Sequence, residues 1–257
     1  MNKKAWTEKF MQGVFFIAAC ASVLAVALIC IFLFANGIPA MKEIGFGEFL
    51  SGEMWKPKNE IFGILPMIVG SLYVTAGAII FGVPIGILTA VFMAYYCPKK
   101  IYKPLKAATE LLAGIPSVVY GFFGLVVIVP LIRTLGRDLG FGGNGSSILT
   151  ASLLLGMMIL PTIIGLTESS IRAVPEQYYE GAVALGATHE RAIFRVVIPA
   201  AKSGVIAAIV LGIGRAIGET MAVIMVAGNQ ARLPQGIFRG VRTLTANIVI
   251  ELSLIHI

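Results

Sequence analysis

Charge is what this sequence is short of. Asp, Glu, Lys and Arg make up 13% of its 257 residues, while 58% are hydrophobic and the mean hydropathy is +0.91. A soluble domain carries about a quarter charged residues, so an ordinary water-soluble enzyme or a disordered tail is excluded. Cysteine is scarce too: Cys20, Cys30 and Cys97 form no CxxC pair, which excludes a secreted disulfide scaffold and reads as small apolar residues in helices. The two histidines, His189 and His256, make no metal set, because Ile193 stands where an HExxH motif needs its second histidine. There is no GxxxxGK[ST] loop for ATP, and Ser117 after Ile115-Pro116 is in no GxSxG elbow. Gly140–Gly145 spells GxGGxG but follows no strand and reads as a connector. Catalysis by this chain alone is not expected, and no cofactor is implied. The net charge of +7 fits basic cytoplasmic loops better than a nucleic-acid footprint.

What the sequence does have is long apolar runs. Gly13–Ala35, the stretch between Glu60 and Lys99, Leu111–Ile132, Ile148–Thr167 and Gly204–Gly228 can each cross a bilayer. The first is too long for a signal-peptide core and reads as a retained helix. The second holds 38 uncharged residues; as one helix it would be roughly 57 Å long, so a single crossing from about Pro66 to Tyr96, bent at Pro84, is the simpler reading than two short ones. Pro84, Pro116, Pro130 and Pro161 lie within or beside these runs, where membrane helices tolerate them. Gly82-x-x-x-Gly86 and Gly214-x-x-x-Gly218 permit close helix approach. Trp6 and Trp55 fit interfacial anchors.

Basic residues then set the orientation. One side (residues 1–12, 97–110 and 168–203) carries eleven Lys and Arg, and the other carries eight. The bias places the N-terminus, residues 1–12, in the cytoplasm, with a single transmembrane domain over 13–257. The largest polar block is the inner loop Glu168–Ser203. Within it, a helical stretch reaches Gly186, which suits a sharp turn, and a second amphipathic stretch ends at Pro199. Ile193, Phe194, Val197 and Ile198 give that second piece an apolar face. The whole reads as a knob shaped for a groove on another protein.

This segment resembles the EAA loop of ABC-importer permeases, whose pattern is Glu-Ala-Ala, three residues, Gly, nine residues, Ile-x-Leu-Pro. Glu180, Ala182, Gly186 and Pro199 fall in register, with Val196 and Ile198 as apolar equivalents and Gly181 in place of the first alanine. The resemblance implies docking on a cytoplasmic ATPase through Glu180, Ala182, Leu185, Gly186 and Ala187.

Arg215 and Glu219 interrupt the fifth run. Four residues apart, they are expected to share a helix face and to be able to pair. A charge at membrane depth is costly and is usually kept for a pathway or a structural pair. Arginine offers a fork of donors that suits a tetrahedral oxyanion. Gly212, Gly214 and Gly218 remove bulk around it. Arg232, Arg239 and Arg242 in the outer segment could attract an anion, or simply be solvated.

The string Gly-Arg-Ala-Ile-Gly-Glu-Thr, ending at Thr220, resembles the fifth-helix signature of phosphate ABC-importer permeases. Leu111–Gly124, Phe62–Pro66 and Arg242–Ile248 are similar to the PstC type in particular. The resemblance implies an all-α polytopic membrane protein with the type I ABC-importer permease fold, five transmembrane helices being present. It implies phosphate passage past Arg215, Glu219 and Thr220. It also implies a homologous PstA-like permease subunit, PstB-like ATPase subunits and a periplasmic or lipid-anchored PstS-like phosphate-binding protein as partners, in a bacterial-type inner membrane, with no nucleic acid. The family continues past Ile248 into one more membrane helix; Leu252–Ile257 does not match it, so the expectation is a chain about one helix short.

Overall fold

The structure, a computed structural model, describes residues 3–254, with side chains from Thr7 to Ser253. The Trp6 anchor and His256 fall outside the described side chains. Helix α1 (Lys3–Ile44) is followed by the short α2 (Phe46–Ser51) and by two two-residue strands, β1 (Trp55–Lys56) and β2 (Ile61–Phe62). α1 runs well beyond the expected Gly13–Ala35. Nothing breaks it before Gly45, whose φ of +94° ends the run. None of its most apolar window is buried, and Phe16, Val23 and Phe32 stand exposed among many other apolar side chains. A helix apolar on all faces is suited to lipid or to other membrane helices, not to water.

By their contacts the residues separate into two units. α1, α2 and residues 56–63 belong to one; Glu53–Trp55 and everything from Ile64 belong to the other.

The second unit opens with α3 (Leu65–Val91), which carries Pro66 in its first turn and continues through a π-helical turn, Phe92–Tyr96. The long apolar run is thus a single crossing, Leu65–Tyr96. α4 (Lys99–Gly114) follows, amphipathic and lying outside the candidate spans. The expected third crossing, Leu111–Ile132, is shifted. Ile115 is extended at ψ 127°, as the residue before a proline prefers. The crossing therefore starts anew at α5 (Ser117–Phe123) and runs through a π-helical turn, Gly124–Ile128, into α6 (Val129–Asp138).

α7 (Ile148–Arg172) is the central helix. Two-thirds of its most apolar window, 67%, is buried, with Leu154, Ile159 and Ile163 in the core. α3 packs closely on it: a methyl on Gly82 would come 2.8 Å from Ile159 and one on Gly86 2.7 Å from Ile163, so only glycine permits this approach. The first turn of α7 has donors to satisfy. Ser147 Oγ accepts from Thr150 N at 3.3 Å, and the backbone N–H groups of Ile148 and Leu149 donate to the Arg239 and Ile237 carbonyls.

The loop after α7 folds as α8 (Glu176–Ala184), α9 (His189–Ala192), a π-helical turn over Ile193–Val197, and α10 (Ile198–Ala200). α11 (Lys202–Gly218) then returns along α7, and the fifth run breaks before α12 (Met221–Val226). His189–Ala200 and Lys202–Gly218 meet at 69°, and taken together they make a fifth candidate span beside the four of α1, α3, α5–α6 and α7. α13 (Leu244–Leu254) is a further apolar helix of 11 residues, roughly 17 Å long and shorter than a bilayer core.

Candidate functional site

The loop between α8 and α9 is a projecting corner. Gly186 has φ +87°, a conformation that disfavours any side chain. Leu185 beside it is 92% exposed, an apolar tip with no cover. Thr188 caps α9 by accepting from Arg191 N at 3.4 Å. Ala182, Leu185, Gly186 and Ala187 line one concavity of ≈ 520 Å³ together with Arg191, Arg195 and Val196. The corner is anchored at its base. Ile193 and Val197 are fully buried with Val91, Ile171 and Val205, whereas Phe194 faces out at 48% exposure. The expected apolar face is therefore half anchor and half free surface. The Tyr179 hydroxyl and His189 Nδ1 lie 2.8 Å apart, and Tyr95 and Tyr96 meet the His189 ring edge-on. The sequence-expected contact set is thus brought together at one exposed knob. Glu180 is exposed on α8, one turn before the corner.

At the Arg215 site the expected pairing with Glu219 is not formed. α11 ends at Gly218, and Glu219 is extended at φ −71°, ψ 132°. Its carboxylate turns forward, where Oε1 accepts from the Ala222 N–H at 3.2 Å and caps α12. Its carbonyl accepts from Thr245 Oγ1 on α13 at 2.9 Å. The break removes the four-residue register, and the orphan donors of the next helix take the carboxylate instead. Arg215 stays exposed and donates from Nη1 to Thr162 Oγ1 on α7 at 3.4 Å. A methyl on Gly214 or Gly218 would meet nothing within 4 Å, whereas Gly212 is packed on Ile163. Two of the three glycines therefore have open space beyond their own Cα. Thr220, in the break itself, donates to the Gly218 carbonyl at 3.4 Å.

A charged cluster absent from the sequence reading sits near the end of α7. Glu168, only 1% exposed, accepts from the Tyr102 hydroxyl at 2.6 Å, Lys106 Nζ at 2.9 Å and Arg172 Nε at 2.8 Å. Arg172 also donates to the Met93 carbonyl at 2.9 Å and lies 4.8 Å above the Tyr102 ring. A buried carboxylate needs such partners to stay ionised. Its hydrogen bonds push the Tyr102 hydroxyl and the Lys106 ammonium above their ordinary pKa values. The sequence signal was faint: Tyr102 and Lys106 are four apart, as are Glu168 and Arg172, but nothing local says the two helices meet.

Arg232, Arg239 and Arg242 divide. Arg242 is held by the Asn229 carbonyl, Asn247 and Glu251, and Glu251 also accepts from Trp55 Nε1 at 2.9 Å. Arg232 and Arg239 are exposed. Trp55 is thus tied to α13 by a hydrogen bond.

Four helices long and apolar enough to cross a bilayer, with a bent pair as a fifth, define a polytopic membrane protein. Residues 82–257 match the family described as binding-protein-dependent transport system inner membrane component. The chain belongs to that family. The phosphate transport system permease protein PstC of Mesorhizobium japonicum is 36% identical over 268 residues, covering 98% of this chain and 82% of the relative. PstC of Haemophilus influenzae is 32% identical over 265 residues, covering 97% and 84%. Among solved structures, an inward-facing MetNI methionine ABC transporter aligns with a TM-score of 0.53 at 19% identity, covering 79% of this chain and 92% of that one. That likeness places the chain in the type I ABC-importer permease fold.

Proposed function

We propose that this chain is a permease subunit of an ATP-driven phosphate importer, not itself an enzyme. The observation that carries the reading is Arg215: an exposed guanidinium at the broken end of a membrane helix, flanked by the open space at Gly214 and Gly218. A planar fork of donors matches a tetrahedral oxyanion, and it stays charged away from bulk water. The PstC relatives at 32% and 36% identity point to phosphate among oxyanions.

In this reading Arg215, Glu219 and Thr220 line the translocation path, which is completed by a homologous PstA-like subunit. Residues 13–257 act as one permease domain behind a cytoplasmic segment 1–12. The corner of Glu180, Ala182, Leu185, Gly186 and Ala187 docks on a PstB-like ATPase, so it and the N-terminus face the cytoplasm. A PstS-like binding protein delivers phosphate to the outer face of the inner membrane.

Uptake of radiolabelled phosphate by cells carrying the assembled transporter tests this. Competition by unlabelled phosphate, with little by sulfate or molybdate, is expected; stronger competition by sulfate or molybdate would replace phosphate by another oxyanion. Uptake that persists without the ATPase would overturn the ATP-driven reading.

A further inference from the structure

α4 and α7 lie side by side, and between them is a cleft of ≈ 340 Å³. Its walls are two stripes at matching helical spacing: Thr162, Gly165 and Ser169 on α7, and Lys106, Thr109 and Ala113 on α4. From Thr162 to Ser169 the stripe covers about 10 Å along the axis. At one end Thr162 Oγ1 receives Arg215 Nη1; at the other, Lys106 Nζ rests on Glu168 Oε2. The cleft therefore begins where Arg215 stands and ends at the last turn of α7, just before the corner α8–α9.

Its chemistry suits an oxyanion. Lys106 has three ammonium protons and gives one to Glu168, leaving two. Thr162 accepts from Arg215 and keeps its own proton to donate. Ser169 adds a third donor, whereas Thr109 already donates to the Lys106 carbonyl at 2.7 Å and serves as wall. Lys106 and Arg172 are balanced by Glu168 and by Glu110 on the rim, so this corner is neutral overall and offers an anion hydrogen-bond donors rather than net charge. At the midpoint, a methyl on Gly165 would meet nothing within 4 Å, so the way is open.

We propose that the α4–α7 cleft is an inward exit subsite, in which a phosphate leaving Arg215 is received by Thr162, Ser169 and Lys106 before it reaches the cytoplasm. The proposal rests on the reading of Arg215 as part of the phosphate path.

Gly165→Phe places a ring in the middle of the cleft and leaves the Arg215 side chain itself unchanged. In the assembled transporter it is expected to lower phosphate uptake by at least about tenfold while the ATPase still co-purifies. Uptake within about twofold of wild type overturns the subsite. A second measurement does not depend on tolerance of the ring. Ser169→Cys, in a chain whose Cys20, Cys30 and Cys97 are replaced by serine, is labelled on inside-out vesicles with a membrane-impermeant thiol reagent. Phosphate at about twice its Kd is expected to slow labelling by about threefold, and chloride to leave it unchanged. Equal rates with and without phosphate overturn the proposal. Arg215→Gln separates the two readings: uptake lost there but normal in Gly165→Phe removes only the exit subsite, whereas normal uptake in both removes the path itself.

Discussion

Arg215 donates to Thr162 Oγ1 at 3.4 Å, across the interface between α11 and α7, and the carboxylate four residues further on turns away from it to cap the next helix. The guanidinium is therefore held by a neutral hydroxyl, and most of its donors remain available. A hydroxyl orients the fork without neutralising it, which a partner carboxylate would do.

Arg215→Gln should lower phosphate uptake by at least about tenfold, since a neutral amide loses the charge and the bidentate fork. Co-purification with the ATPase should be unchanged, because the corner proposed to dock lies elsewhere. Normal transport in this variant removes Arg215 from the path.

Glu219 separates charge from capping. Glu219→Gln keeps an oxygen for the Ala222 N–H and should leave the thermal midpoint near that of the parent. Glu219→Ala loses the cap and should cost about 1 kcal/mol of stability. Thermal unfolding in detergent measures both; equal midpoints for the two variants would show that the cap contributes nothing.

Gly186 is held at φ +87° with open space beyond its Cα. Replacement by alanine should therefore cost only the backbone term, about 1–2 kcal/mol. A bulky residue there should deform the corner and release the ATPase. Unchanged co-purification and transport with Gly186→Trp would count against docking at this turn.

Glu168→Ala strands Lys106 and Arg172. Both are partly exposed, at 33% and 46%, so solvent recovers some of the loss and the expected destabilisation is about 2 kcal/mol, below that of a fully buried pair. A midpoint within experimental error of wild type would show that the cluster does not hold α4 on α7.

The same cluster has a pH signature. Tyr102 and Lys106 bind their protons more tightly in the folded protein, because each donates to Glu168. Their contribution is fully present below their ordinary values, about 10 and 10.5, and is lost as pH rises through the raised folded values. Thermal midpoints should fall above about pH 10, and Glu168→Gln should flatten that fall. An identical slope in the variant assigns it to other groups.

The membrane class, the single crossing from Leu65 to Tyr96, and the turn at Gly186 were legible in the sequence because each rests on local chemistry. Apolar length sets a span, and a glycine flanked by amphipathic stretches sets a corner. The third crossing was placed a few residues early at Leu111, since hydropathy alone does not weigh the conformational effect of Pro116 on Ile115. The pairing of Arg215 with Glu219 was a correct reading of helix geometry applied to a helix that stops at Gly218.

The sequence by itself determined that the chain lives in a bilayer, that it carries an exposed corner at Gly186, and that an arginine stands inside an apolar run. Only the tertiary structure decided what surrounds these charges. It brought Thr162 to Arg215, gave Glu219 to the next helix, and joined Tyr102, Lys106 and Arg172 around Glu168. Hydropathy and periodicity are properties of neighbours along the chain. The partner of a charge is whichever group packing brings within about 3 Å, and for Glu168 two of those partners lie more than sixty residues away.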